Sequence, residues 1–65
     1  MRVFHANGLL HIHNVGIGET VYVYNLLGNL IATEKITNKQ TAIPIREKGV
    51  FLLKTNASVY RFMIK

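Results

Sequence analysis

Three histidines stand close together near the start of the chain: His5, His11 and His13. On a strand, side chains two residues apart project from the same face, so His11 and His13 are spaced as two ligands of one metal ion would be. A third ligand is needed. The chain has no Cys and no Asp, and His5 falls on the opposite face in the hairpin register derived below. Glu19 reaches the pair only by one specific loop path. His11 and His13 therefore remain the only metal candidates, and all three imidazoles read first as strand side chains, His5 as packing or rim. Catalytic acids are scarce. Glu19, Glu34 and Glu47 are the only carboxylates. Glu34 sits beside Lys35, and Glu47 lies between Arg46 and Lys48, as surface charges do. A glycosidase-like pair needs two carboxyls facing each other across a cleft. Ser58 is the only serine, and no Asp exists to complete a triad. Gly16-Ile17-Gly18 lacks the third glycine of a dinucleotide loop and reads as a turn. Asn56-Ala57-Ser58 fits a glycosylation triplet and fits a hairpin turn equally well. No catalytic residue and no cofactor are expected.

The charge is one-sided. Eight Lys and Arg face three Glu, a formal net charge of +5. Such a balance favours anionic partners, but the cations are scattered along the chain, as solubilising and edge-guarding lysines are. Tyr22, Tyr24, Tyr60 and Phe62, beside Arg61 and Lys54, are of the types that stack nucleic-acid bases. They also alternate along strands as core residues do, and the aromatic motif of RNA-binding sheets is missing. These aromatics are accordingly read as core, and nucleic acid is not the expected partner.

The elements that must carry these residues are strands. Val, Ile and Thr make up 18 of the 65 residues, with six aromatics beside them, and branched and ring side chains suit a pleated, half-buried surface. One small domain spanning residues 1–65 is all the length allows. The chain is too apolar, at 49%, for intrinsic disorder. It has no run approaching the roughly 20 apolar residues of a membrane-spanning helix. No signal-peptide pattern is present.

Turn residues divide the chain into about seven strands. Asn7-Gly8 is the best two-residue hairpin loop. It sets Phe4 opposite His11 and Arg2 opposite His13, with Val3, His5, Leu10 and Ile12 on one face and Arg2, Phe4, His11 and His13 on the other. Residues 14–19 form a loop. Strands are expected over 20–25, 30–36, 41–45, 50–55 and 58–65. Gly28 or Asn29 supplies the positive φ of the second hairpin, and Pro44 marks an edge or a strand end. In the last strand Tyr60, Phe62 and Ile64 point inward and Arg61, Met63 and Lys65 outward. The count and spacing predict a small all-β fold, either a two-sheet sandwich or a flattened barrel. A chain of this size buries only about 60% of its unfolded surface, so a partner or neighbouring domain covering apolar area is expected.

One stretch carries a resemblance: Val21-Tyr22-Val23-Tyr24-Asn25-Leu26-Leu27-Gly28-Asn29-Leu30-Ile31. It is followed by Ile43-Pro44-Ile45, then Gly49-Val50-Phe51-Leu52-Leu53-Lys54, then Val59-Tyr60-Arg61-Phe62-Met63-Ile64-Lys65. In order and spacing this series is similar to the C-terminal sorting domains of the type IX (Por) secretion system of Bacteroidetes, and to related C-terminal domains of uncharacterised function from gut Bacteroides. The resemblance covers roughly residues 9–65. It implies a seven-stranded immunoglobulin-like β-sandwich without an active site, read by secretion machinery at the outer membrane and carrying a passenger to the cell surface. Gly28 and Gly49 match the family's glycines, and Lys54 and Lys65 its basic positions. Phe51 stands where Tyr is more usual, and the family's opening strand with its Asn-Pro pair is missing. Recognition would rest on the last strand and the Gly49 hairpin: Gly49, Phe51, Lys54, Tyr60, Arg61 and Lys65. Gly8, Gly28 and Gly49 serve turns. The expected partners are secretion-machinery proteins or a passenger domain, with self-association through strand edges as a further expectation. A second reading is a small basic domain that binds polyanions, nucleic acid or acidic glycan. A third is a structural accessory domain that self-associates. Met1 as the true start of a free-standing chain would instead imply the cytoplasm.

Overall fold

Asn7 and Gly8 both hold positive φ, 55° and 75°. This is the type I′ turn whose twist matches that of the flanking strands. It joins β1 (Arg2–Ala6) to β2 (Leu9–His13) with Ala6 opposite Leu9, Phe4 opposite His11 and Arg2 opposite His13, the register expected from the turn alone. The computed structural model describes residues Met1–Lys65. It contains five further strands: β3 (Thr20–Asn25), β4 (Leu30–Lys35), β5 (Gln40–Pro44), β6 (Gly49–Lys54) and β7 (Val59–Ile64). No helix is present that is long and apolar enough to cross a membrane.

The strands form two antiparallel sheets, β1-β2-β5 and β4-β3-β6-β7. β1 and β7 approach each other where the sheets meet, but no ladder joins them, so the molecule is a sandwich and not a flattened barrel. Pro44 is the last residue of β5, an edge strand with β2 as its only neighbour. A missing N–H costs least there.

The second hairpin is braced by a side chain. The Asn25 carboxamide oxygen accepts from the N–H groups of Leu27 and Asn29, each at 3.0 Å. Gly28 supplies the left-handed residue at φ 87°. The β3–β4 ladder then slips: Val23 faces Ala32 and Tyr24 faces Leu30. Ile31 is the extra residue, and the bulge lets Ile31 and Ala32 both pack against the core.

The ends differ from the sequence reading by one residue at β4, β5, β6 and β7. Ile36 lies just past β4 but is buried, and its backbone pairs with the loop before β3: Ile36 N–H donates to Glu19 O, and Gly18 N–H to Ile36 O, both at 2.8 Å. Ile36 and Val15 thereby close one end of the core. Eleven buried apolar residues make up that core, including Leu10 and Ile12 from β2, Val21 and Val23 from β3, Ile43 from β5, and Phe51 and Leu53 from β6. Thr55 is the one buried polar residue. Its hydroxyl oxygen accepts from Ala57 N–H at 3.2 Å and Ser58 N–H at 3.1 Å, so the β6–β7 turn is organised from its first residue. No buried side-chain polar atom lacks a partner.

Candidate functional site

The histidines separate as the register requires. His5 lies on the inner side of β1, and its Nε2 is 3.2 Å from the Ile45 carbonyl oxygen. A carbonyl only accepts, so this contact needs the proton on Nε2. His11 and His13 lie on the outer face of the three-stranded sheet. Phe4 stacks on His11, with ring centroids 4.8 Å apart and planes 12° from parallel, and meets His13 edge-on at 5.3 Å. The Arg2 guanidinium sits 5.2 Å from the centre of the Phe4 ring. This is an aromatic–cationic cluster in which Phe4 packs against both imidazoles. No group of three His, Cys, Asp or Glu side chains gathers there or elsewhere.

Glu19 and the serine are occupied locally, whereas Glu34 and Glu47 are exposed. Glu19 braces its loop, its Oε2 accepting from Gly16 N–H at 2.9 Å. A side chain at Gly16 would collide with that same oxygen at 2.7 Å, so glycine here permits the brace. Ser58 Oγ lies 3.3 Å from Thr55 Oγ1 inside the hairpin turn. Two open depressions flank the Asn14–Gly16 loop, of about 320 Å³ and about 170 Å³, and Glu19 is the only carboxylate lining either.

The aromatics differ from the sequence reading. Tyr22 and Tyr24 are not core. They stand side by side on the outer face of the four-stranded sheet, centroids 6.5 Å apart, and Tyr22 is 37% exposed. Val21 and Val23, fully buried, take the inner face of the same strand. Tyr60 is 40% exposed, and Phe62 is only half-buried, stacked on Phe51 at 5.6 Å. Inward burial along β7 thus rises from Tyr60 to Ile64, which is 5% exposed.

The residues named for recognition fall in three settings. Phe51 is 2% exposed and acts by holding β6 in place. Gly49, at φ 132°, opens β6 from a backbone conformation that L side chains rarely adopt. Lys54, Arg61 and Lys65 are exposed. Lys54 lies opposite Tyr22 on one side and Val59 on the other, and Arg61 lies opposite Leu52. The sequence sets Lys54 and Arg61 beside these aromatics but reads the tyrosines as core; the structure puts Tyr22, Tyr24, Lys54 and Arg61 together on the outer face. The alternation Val21-Tyr22-Val23-Tyr24 held the parity. The pairing of β3 with β6, distant in sequence, supplied the neighbours.

By its layering and strand order the chain is an immunoglobulin-like β-sandwich, with the fourth strand on the second sheet and not on the first as in constant domains. Compared with protein-family models, curated proteins and solved structures, it matches none.

Proposed function

We propose that this chain is a non-catalytic sorting or anchoring domain, recognised by secretion machinery of the type IX kind and carrying its passenger to the cell surface. The observation that carries this reading is the place of β7. It is the edge of the four-stranded sheet, hydrogen-bonded to β6 alone. An edge strand offers a row of N–H and C=O groups to an added strand, and the alternating side chains supply selectivity. Further support comes from where the resembling segments lie. Residues 21–31, 49–54 and 59–65 supply β3, the start of β4, β6 and β7 of the four-stranded sheet, and Ile43-Pro44-Ile45 ends the edge strand of the other.

The test is a reporter carrying residues 1–65 at its C-terminus, expressed in a type IX-competent bacterium and in a strain lacking that machinery. Surface display is expected only in the competent strain. Removal of Tyr60–Lys65 is expected to reduce it about tenfold or more, a loss of roughly 1.4 kcal/mol or greater in recognition. Equal display in both strains, or display unchanged by the truncation, rejects the assignment.

A further inference from the structure

The outer face of the four-stranded sheet is a continuous surface assembled from alternate residues of four strands. Outward from β3 stand Tyr22 and Tyr24, and from β4 Leu30, Thr33 and Lys35. β6 adds Val50, Leu52 and Lys54, and β7 adds Val59, Arg61 and Met63. Its apolar members are open to solvent: Leu30 is 52% exposed, Val59 61% and Met63 58%. Large apolar side chains grouped on one face mark a covered surface and are not mere scatter. The cations are placed among them. Lys35, Lys54 and Arg61 are all exposed. The only acidic residue in this sheet, Glu34, pairs with the inward-facing Val21 and so belongs to the other side.

We infer that this face docks an acidic protein segment, one that presents carboxylates around apolar side chains. Three observations select that occupant. The face carries positive charge only, so a partner must bring negative charge, and a second copy of this chain would set like charges against each other at a cost. Its composition is that of a protein interface: Tyr, Met and Arg are enriched at such surfaces, and aliphatic Leu, Val and Met have no stacking role against bases. Its size also suffices. The molecule measures 27 by 24 Å across its broad dimensions, enough for the roughly 600 Å² per partner at the lower end of standard interfaces. The inference does not depend on export. It concerns the outward side chains of the sheet, whereas the sorting proposal concerns the backbone groups of β7 that pair with no other strand.

The probe is a short peptide alternating glutamate and leucine, titrated into the whole domain and followed by backbone amide shifts and calorimetry. Shifts are expected at Tyr22, Lys54, Arg61 and Met63. The pair Lys54→Glu with Arg61→Glu is expected to weaken binding about tenfold or more, whereas Lys39→Glu with Lys48→Glu, the same change of net charge placed in loops, weakens it by less than about threefold. Thermal melts of both doubles, compared with the parent, show that each remains folded; Tyr22→Ala supplies an uncharged third variant, expected to weaken binding by about fivefold. Equal losses in the two doubles would reduce the effect to net charge and overturn the inference. So would absence of peptide binding at about 1 mM, tighter binding of an oligothymidylate than of the peptide, or a concentration-dependent dimer whose interface covers Tyr22 and Met63.

Discussion

Phe51→Ala is expected to bring the domain to the edge of unfolding at 25 °C. Phe51 is among the largest fully buried side chains and stacks on Phe62. It sits in the central part of the four-stranded sheet, on a strand paired on both sides by β3 and β7. Truncating a buried phenylalanine costs about 3–5 kcal/mol, the transfer loss plus the cavity left behind. The whole domain has little more to give. At about 0.05–0.15 kcal/mol per residue, a chain of this length holds roughly 3–10 kcal/mol in total. Only 12 of 65 residues are buried, which leaves few neighbours able to relax into the space. Thermal melts followed by circular dichroism should show the midpoint falling by roughly 12–40 °C, at about 4–8 °C per kcal/mol for small domains. A fall below about 5 °C would mean that the core is not organised around this ring.

The second expectation compares two neighbours. Leu52 and Leu53 differ by one position and therefore by one face. Leu53 is fully buried, and Leu52 is half-buried beneath Arg61 and Tyr24 on the outer side. Leu53→Ala is expected to cost about 2–5 kcal/mol, and Leu52→Ala under about 1 kcal/mol, because its site already meets water and opens no closed cavity. Urea titration of the two variants measures both, with an unchanged slope showing that the same surface is exposed on unfolding. Equal costs, or the reverse order, would place β6 one residue out of register and exchange its two faces. The docking inference would then lose Lys54 as an outward residue.

Local chemistry was the most legible part of the chain. Asn7-Gly8 admits essentially one turn type, and that turn sets the whole β1–β2 register down to Phe4 beside His11. Pro44 announced an edge strand, since a residue without an N–H has few other places in a sheet. The residues before Ile31 were harder. No turn signal shows that the β3–β4 ladder slips there, because the bulge answers a packing demand of Ile31 and Ala32 made by distant strands. The same limit governs the candidate site. Lys54 and Arg61 stand out as basic residues in a strand, but their company with Tyr22 and Tyr24 depends on β3 joining β6, which closes only when the two sheets meet. Alternation along the strand suggests core for Tyr22 and Tyr24, but alternation alone does not say which face is inward. Val21 and Val23 already occupied the single inward face of that strand, and a strand has no third direction. Thr55 carried no sequence signal beyond its neighbourhood to Asn56, since its role depends on burial under the turn.

The distribution of buried side chains has a consequence for how the molecule breathes. Every buried strand residue belongs to β2, β3, β5, β6 or β7; neither β1 nor β4 contributes one. Both lie at the rims of their sheets, as β5 and β7 also do, but without a buried side chain they are held by backbone ladders and partial packing alone. Amide hydrogens there should trade with solvent deuterium well before those of β3 and β6, through excursions far smaller than complete unfolding. β3 and β6, paired at the centre of the four-stranded sheet, thus form a stiff spine, and β1 and β4 are the flanks least anchored to the core. An encounter that peels a flank away would bare the spine at a fraction of the work of melting it.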